Sequence, residues 1–130
     1  MSYSNTKYLN KKIVVDGIEF DSKKEGQRYR ELSLMQKAGK IGRLMLQVPF
    51  ELIPNQYEIV TVQLKTKSKE VKRLVERKVE YVADFVYDDL EKGETVVEDV
   101  KGYKMGGAYD VFVIKRKLML QRYGIKVKEI

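Results

Sequence analysis

Two apolar runs of this chain contain charged side chains that could perform metal-assisted phosphate chemistry. The first run, 81–87, contains Asp84, and the second, 96–102, contains Asp99 and Lys101. Alternate side chains share a face in an extended chain, so Asp99 and Lys101 point the same way. If the two runs pair as neighbouring strands, Asp84 lies beside Asp99. Two carboxylates and an ammonium group suit magnesium-assisted phosphodiester hydrolysis. Turns also favour Asp, Lys and Gly at strand ends, so a purely structural origin of the pattern stays open.

The composition excludes several other kinds of chemistry. The chain has 130 residues, 43% of them hydrophobic, and contains neither cysteine nor histidine. Disulfides, thiol or imidazole catalysis and His- or Cys-based metal sites are therefore excluded, and catalysis must use carboxylates, lysines, tyrosines or a bound ion. The first ten residues are polar and the apolar runs are far shorter than about 18 residues, so we expect neither a signal peptide nor a membrane span.

The charge is distributed in blocks. The net charge is +7, with +4 over residues 65–80, −6 over 81–100 and +6 over 101–130. A basic protein favours a polyanionic partner, but an acidic block inside it repels that partner unless cations are bound. A nuclease with bound metal would resolve this conflict. Four of the acidic residues are expected only to solvate a turn: Asp88, Asp89, Glu91 and Glu94.

Periodicity and turn signals predict one layered α/β domain over residues 12–130, after a flexible polar tail at 1–11. Helices are predicted from Ser22 to about Ala38 and from Ala108 to Tyr123. Extended segments are predicted at 13–15, 18–20, 41–53, 57–66, 71–87, 94–101 and 125–130, the first two joined by the turn at Asp16-Gly17. The core order is helix, strand, strand, strand, helix, strand. This order predicts a mixed sheet flanked by helices, whose last strand is a parallel neighbour reached by a crossover.

Glu25 in the first helix has two interpretations. It follows Ser22 by three residues, which is the spacing of a capping box. It also lies on the helix face that carries Tyr29, Leu32 and Met35, and that face should pack on the sheet. A buried carboxylate needs a hydrogen bond, a cation or a metal. The sequence therefore leaves open a role for Glu25 at the metal site, direct or indirect.

Two further groups of basic side chains each have two interpretations. A hairpin centred near Ser68 carries Lys65, Lys67, Lys69, Lys72, Arg73, Arg77 and Lys78. Such lysines either protect an edge strand from aggregation or contact DNA. On the second helix, Val111, Ile114 and Leu118 are expected to mark the core face, and Lys115 falls within that arc. In one interpretation the aliphatic part of Lys115 packs along the core and its ammonium lies in solvent. In the other, the ammonium binds the scissile phosphate.

This set of residues resembles the PD-(D/E)XK nuclease superfamily, in which an acidic residue of the first helix precedes an Asp and an acidic-x-Lys motif. The matching residues are Glu25, Asp84, Asp99 and Lys101. More closely, the chain is similar to small phage and prophage proteins often labelled Holliday-junction resolvases or nucleases, and also to the TnsA endonuclease subunits of transposons. The supporting segments are 16–22, 46–50, 83–85, 97–102 and 114–118, and the resemblance covers roughly residues 13 to 129.

The resemblance implies a restriction-endonuclease-like αβββαβ core with added hairpins and a Mg²⁺-dependent endodeoxyribonuclease, with Mn²⁺ as a substitute. Asp84, Asp99 and the Val100 carbonyl would bind the ion, Lys101 would stabilise charge at phosphorus, and Glu25 would complete the site. Gln47 and Lys115 would be accessory residues. The DNA-contacting residues would be Lys65, Lys67, Lys69, Lys72, Arg73, Lys104 and Lys117.

The implied substrate is branched DNA in recombination, cut by a homodimer in the bacterial cytoplasm and encoded by a phage or prophage. The alternatives are a non-specific nickase or end-processing nuclease, and a catalytically inactive nucleic-acid-binding module. The chain departs from the pattern at residues 103–108, where an expected threonine is missing.

Overall fold

A computed structural model describes residues 11–102 and 104–130 of the chain, and within them two helices and eight strands. The predicted tail at 1–11 therefore lies almost entirely outside the described residues, as does Tyr103 in the loop that lacks the threonine. In chain order the elements are β1 (Ile13–Val15), β2 (Ile18–Phe20), α1 (Lys23–Lys37), β3 (Ile41–Ile53), β4 (Gln56–Gln63), β5 (Ser68–Glu76), β6 (Val79–Asp89), β7 (Glu94–Asp99), α2 (Gly107–Tyr123) and β8 (Lys128–Glu129).

A four-stranded mixed sheet with the order β3-β6-β7-β8 forms the centre of the fold. The pairs β3–β6 and β6–β7 are antiparallel, and β7–β8 is parallel. Helix α2 supplies the crossover from β7 to β8, as the order of elements in the sequence predicts. The mixed α/β class and the parallel last strand are confirmed, and β4 and β5 form an insertion between two neighbours of the sheet.

The N-terminal hairpin and α1 begin and end where the local sequence dictates. Asp16 and Gly17 both have positive φ, 51° and 78°, which is the geometry of a tight hairpin turn. The Ser22 hydroxyl accepts a hydrogen bond from the Glu25 amide at 3.1 Å, so the predicted N-cap is confirmed. Helix α1 then runs to Lys37, within one residue of the predicted end.

The two faces of the sheet carry separate hydrophobic cores. Helix α1 and the β1–β2 hairpin cover one face, where the buried residues are Val15, Phe20, Leu32, Ile41, Phe85 and Tyr87. Helix α2 covers the other face, where the buried residues are Leu52, Tyr81, Ala83, Val86, Val97, Phe112, Met119 and Val127. The chain is therefore a three-layer α/β/α arrangement around β6 and β7.

Strands β3 and β6 both depart from regular alternation at one level of the sheet. Tyr81 and Ala83 face α2, whereas Phe85, two residues further on, faces α1. Asp84 lies at this change of face, opposite Gln47, whose φ of 52° is left-handed. An irregularity of this kind re-aims side chains locally, and here it affects two of the residues singled out in the sequence.

Several predicted boundaries were wrong around the insertion. The turn lies at 64–67 rather than at 67–70, and the strand expected over 71–87 is broken at Arg77 and Lys78. The Asn55 side chain accepts a hydrogen bond from the Lys78 amide at 2.6 Å, which fixes that break. Strand β7 ends at Asp99 instead of Lys101, and the last strand is confined to Lys128–Glu129.

The predicted core face of α2 was partly wrong. Val111 and Ile114 are 51% and 58% exposed, whereas Phe112 and Met119 form the buried contact with the sheet. The error arises because apolar residues encircle much of this helix, so that periodicity alone does not select a face. Leu118 is half-buried against the core. Within the part of the chain that the structure describes, no helix is long and apolar enough to cross a membrane.

Candidate active site

Asp84 and Asp99 lie next to each other on adjacent strands. The β6–β7 register pairs Phe85 with Glu98, which brings Asp84 level with Asp99 at the end of the ladder. The Asp84 Oδ2 accepts a hydrogen bond from the Val100 amide at 2.8 Å. The expected placement of Asp84 beside Asp99 is therefore what the register shows. Val100 contacts this cluster through its amide, and the role of its carbonyl as a metal ligand stays a prediction.

Lys101 and Tyr81 hold the Asp99 carboxylate from two sides. The Tyr81 hydroxyl donates to Asp99 Oδ1 at 2.9 Å, and the Lys101 Nζ lies 2.6 Å from Asp99 Oδ2. The same ammonium lies 3.9 Å from the centre of the Phe112 ring on α2, a cation–π contact. Asp99 and Lys101 share the α2 face of the sheet, as their alternation predicted.

Gln47 links Glu25 of α1 to Asp84 of β6. Its side-chain Nε2 donates to Glu25 Oε1 and to Asp84 Oδ1, both at 3.1 Å. Glu25 is buried, so its carboxylate points towards the sheet rather than into solvent. The capping box is thus used in one direction only, because the Glu25 carboxylate is engaged by Gln47. The predicted residues on both layers meet at this point.

The backbone beyond Asp99 is fixed by three contacts. The Ile130 amide donates to the Asp99 carbonyl at 2.9 Å, and the Lys101 amide donates to the Ile130 carbonyl at 3.3 Å. From α1, the Lys24 Nζ donates to the Lys101 carbonyl at 2.7 Å. These bonds fix the backbone of Lys101 beyond the end of β7.

The electrostatics of the cluster favour protonation or a bound cation. Burial, reinforced by the charges of Asp84, Asp21 and Asp99, raises the pKa of Glu25 to about 7, although the Gln47 hydrogen bond opposes this. Burial also raises the pKa of Asp84, against the opposing effect of the Val100 amide. The Tyr81 hydroxyl, buried beside Asp99, has its pKa raised as well. Like charges crowded in a buried site produce this effect, and a cation relieves it.

The donor set fits a magnesium ion held by two carboxylates. Asp99 Oδ2 is buried, and no hydrogen bond of acceptable geometry reaches it from the described residues, although Lys101 is close. Mg²⁺ prefers hard oxygen ligands and often uses only one or two carboxylates while retaining water. In residues 11–102 and 104–130, no three acidic side chains are placed closely enough to hold a metal together. Asp84 and Asp99 are therefore the candidate ligands, and Glu25 joins them through Gln47.

A second carboxylate cluster was not singled out in the sequence. Glu98 is fully buried on the α1 face of β7. Arg28 of α1 donates to both of its oxygens, from Nε at 2.8 Å and from Nη2 at 2.6 Å, and the Tyr87 hydroxyl donates as well. The available signals were a charged residue in an apolar run and an arginine one helical turn after Glu25. Tyr81 and Lys24 were also missed, although a tyrosine in an apolar run commonly needs a hydrogen-bond partner.

Within the described chain, the remaining predicted residues make no hydrogen bond or ion pair with Asp84 or Asp99. Lys115 is half-buried on α2, one turn after Phe112, and makes no hydrogen bond or ion pair with any described residue. Lys104 and Lys117 are exposed. Lys72 lies over the Tyr57 ring and Arg73 pairs with Glu58, both within the β4–β5 insertion.

The fold and the cluster define the chain as a mixed α/β protein with a lysine and several carboxylates gathered at the end of a strand pair. The chain belongs to the family DUF1064, described as a protein of unknown function, which it matches over residues 5–129. No significant match was found among curated proteins or among solved structures.

Proposed function

We propose that this protein is a divalent-cation-dependent endonuclease of the PD-(D/E)XK type that hydrolyses phosphodiester bonds in DNA. The observation that carries the proposal is the convergence of Glu25, Gln47, Asp84, Asp99 and Lys101 from α1, β3, β6 and the β7 end. Four of these are the positions that the resemblance assigns to the catalytic set, and Gln47 is one of its accessory residues. The order of helices and strands around them is also that of the superfamily.

Each residue has a chemical role under this proposal. Asp84 and Asp99 bind the cation, which when bound supplies Lewis-acid activation of water and neutralises charge at the phosphate. The Val100 amide fixes the orientation of Asp84, and Gln47 keeps Glu25 beside it. Lys101 presents an ammonium, held against Phe112, to the charge that develops on phosphorus. A cation held by Asp99 would compete with Lys101 for this carboxylate, which would leave the ammonium free to contact the phosphate.

The implied substrate is branched DNA, such as a four-way junction, and the implied assembly is a homodimer, since such a junction has two-fold symmetry. A different function is also supported by one observation. Lys101 forms an ion pair with Asp99, and Gln47 bridges Glu25 and Asp84, so side chains of the protein already engage all three carboxylates. In a catalytically inactive nucleic-acid-binding protein, these side-chain contacts would hold the carboxylates without a bound cation.

Cleavage and cation binding must be measured together to separate these functions. Wild-type protein with Mg²⁺ or Mn²⁺ is incubated with labelled four-way junction, flap, duplex and single-stranded DNA, alongside Asp84→Asn and Lys101→Met. The matched control is Asp88→Asn, which alters the same residue type four positions along β6, in an exposed ion pair with Arg43. We expect cleavage that both site variants lose and Asp88→Asn retains.

Each outcome of that experiment has a definite meaning. Preferential junction cleavage supports the resolvase-like activity, whereas equal cleavage of all substrates supports a non-specific nuclease. Absence of cleavage and of cation-linked stabilisation in the wild-type protein would contradict the proposal and favour the inactive binding protein. If the site is functional, a cation at one hundred times its Kd should raise the free energy of unfolding of the wild-type protein by about 2.7 kcal/mol.

A further inference from the structure

The β4–β5 insertion stands apart from both cores. We call residues 56–78, which contain β4, β5 and the two residues that follow, the β-arm. Its two strands pair with each other over Gln56–Gln63 and Ser68–Glu76, and they form a sheet separate from the central one. Apart from Val60 and Val71, every residue of the two strands is exposed, so both faces of the ribbon are accessible.

The β-arm is basic, and its positive charge is concentrated towards the tip. Residues 56–78 contain seven basic and three acidic side chains. Within the described chain, Arg73 is paired with Glu58 and Lys72 lies over the Tyr57 ring, whereas Lys65, Lys67 and Lys69 take part in no ion pair. Unpaired lysines at the tip of an exposed ribbon are available to a polyanion.

From this geometry we infer that the β-arm binds the major groove of a B-form DNA duplex that flanks the cleaved site, an inference that rests on the proposed nuclease function. A two-stranded ribbon, with strands about 4.8 Å apart, fits a groove about 12 Å wide. The deep and narrow major groove of A-form RNA does not admit such a ribbon. The β-arm therefore selects duplex DNA over duplex RNA.

The connection between the β-arm and the candidate active site sets the reach of this contact. The β-arm is continuous with β6, and Asp84 lies five residues after Val79, the first residue of β6. At about 3.3 Å per residue, the extended path from Asp84 is about 17 Å to Val79 and about 60 Å to the turn at the tip. One turn of B-DNA is about 34 Å, so the tip lysines contact duplex within about 18 base pairs of the scissile phosphate.

The test is a binding measurement that does not depend on cleavage. It uses the full chain carrying Asp84→Asn, in EDTA, with a B-form duplex of 30 base pairs and an RNA duplex of the same sequence. The β-arm variant is Lys65→Ala/Lys67→Ala/Lys69→Ala. The matched control is Lys37→Ala/Lys40→Ala/Lys92→Ala, which removes the same charge from exposed lysines near the opposite end of β6.

We expect the β-arm variant to bind the DNA duplex at least about tenfold more weakly, with the salt slope reduced by about three. It should also lose the preference for DNA over RNA. On DNA shortened to about 10 base pairs, the affinities of the β-arm variant and of its parent chain should differ less than on the duplex of 30 base pairs. The control variant should retain most of the affinity.

Equal losses in the β-arm variant and in the control would overturn the inference, because general charge would then explain binding. The same conclusion follows if only the β-arm variant changes the sedimentation coefficient while its DNA affinity is unchanged, since the β-arm would then bind a second copy of the chain. Because no cleavage is measured, loss of arm-dependent binding and loss of nuclease activity are distinguishable results.

Discussion

Glu98 and Asp99 are adjacent residues of β7 that point to opposite faces of the sheet and are held by similar partners in different ways. Each carboxylate has one tyrosine and one basic residue as partners: Glu98 has Tyr87 and Arg28, and Asp99 has Tyr81 and Lys101. Glu98 is completely buried and both of its oxygens accept from Arg28. Asp99 keeps one oxygen, Oδ2, that makes no hydrogen bond with the described residues.

The difference between the two partners explains the difference in role. Arginine is always charged and presents a rigid, planar set of donors, which closes the pair around Glu98. Lysine is a flexible point charge, and the Lys101 side chain is 22% exposed, so a cation that takes its place on Asp99 can displace it into solvent. The Arg28–Glu98 pair therefore fixes α1 to β7, whereas under the proposed function the Asp99 carboxylate exchanges Lys101 for a cation.

The largest expected effect comes from breaking the buried Arg28–Glu98 pair. Arg28→Met leaves the Glu98 carboxylate buried without its cation, and we expect it to lower the free energy of unfolding by about 3–5 kcal/mol. Urea denaturation at pH 7 measures this. Arg43→Met is the matched control, because it breaks an exposed arginine pair with Asp88 and should cost far less. Comparable losses in the two variants would show that Glu98 is not held as the geometry indicates.

A smaller effect distinguishes the two carboxylates by their response to cations. In wild-type protein, Mg²⁺ at one hundred times the Kd should raise the free energy of unfolding by about 2.7 kcal/mol. Asp99→Asn removes a candidate ligand and should abolish this gain. Glu98→Gln keeps the ligands and should retain it despite a lower starting stability. Thermal unfolding with and without Mg²⁺ gives both numbers, and an Asp99→Asn protein that still responds would remove Asp99 from the cation site.

The sequence predicts the central part of the site well because its geometry is local. Alternation along an extended chain is enough to place Asp99 and Lys101 on one face, and the pairing of two consecutive strands brings Asp84 beside them. The position of Glu25 follows from the cap at Ser22 and the helical repeat. These inferences use separations of a few residues or neighbouring elements, where propensity and periodicity are informative.

Other features depend on tertiary contacts that no local pattern contains. The change of face at Asp84 arises where β6 pairs with Gln47, a non-glycine residue with positive φ. The Arg28–Glu98 pair joins residues 70 positions apart. The apolar residues of α2 are spread around the helix, so packing rather than pattern selects Phe112 over Val111. In each case the position of a side chain depends on a residue that is distant in the sequence, and a local pattern cannot identify that residue.

Glu25 gives the smallest of these effects. The pH dependence of its contribution to stability distinguishes the cluster of Glu25, Asp84 and Asp99 from the Arg28–Glu98 pair. Its pKa is about 7 in the folded protein, against an ordinary value of 4.5, mainly because it is buried. The folded state thus binds the proton more tightly than the unfolded chain does. The resulting stabilisation is complete below pH 4.5, declines as the pH rises and is lost above about pH 7.

Glu25→Gln removes this dependence because the amide does not titrate. In EDTA, we expect the stability of wild-type protein relative to the variant to fall by about 2 kcal/mol between pH 5 and pH 7. Denaturation series at several pH values measure it, with the exposed Glu91→Gln as the control that should parallel the wild-type protein. A wild-type and variant difference that is constant with pH would mean that Glu25 carries no buried charge. If the difference does change with pH, Mg²⁺ added at pH 8 should restore part of the lost stability. A bound cation balances the charge of the crowded carboxylates, as the proton does at low pH.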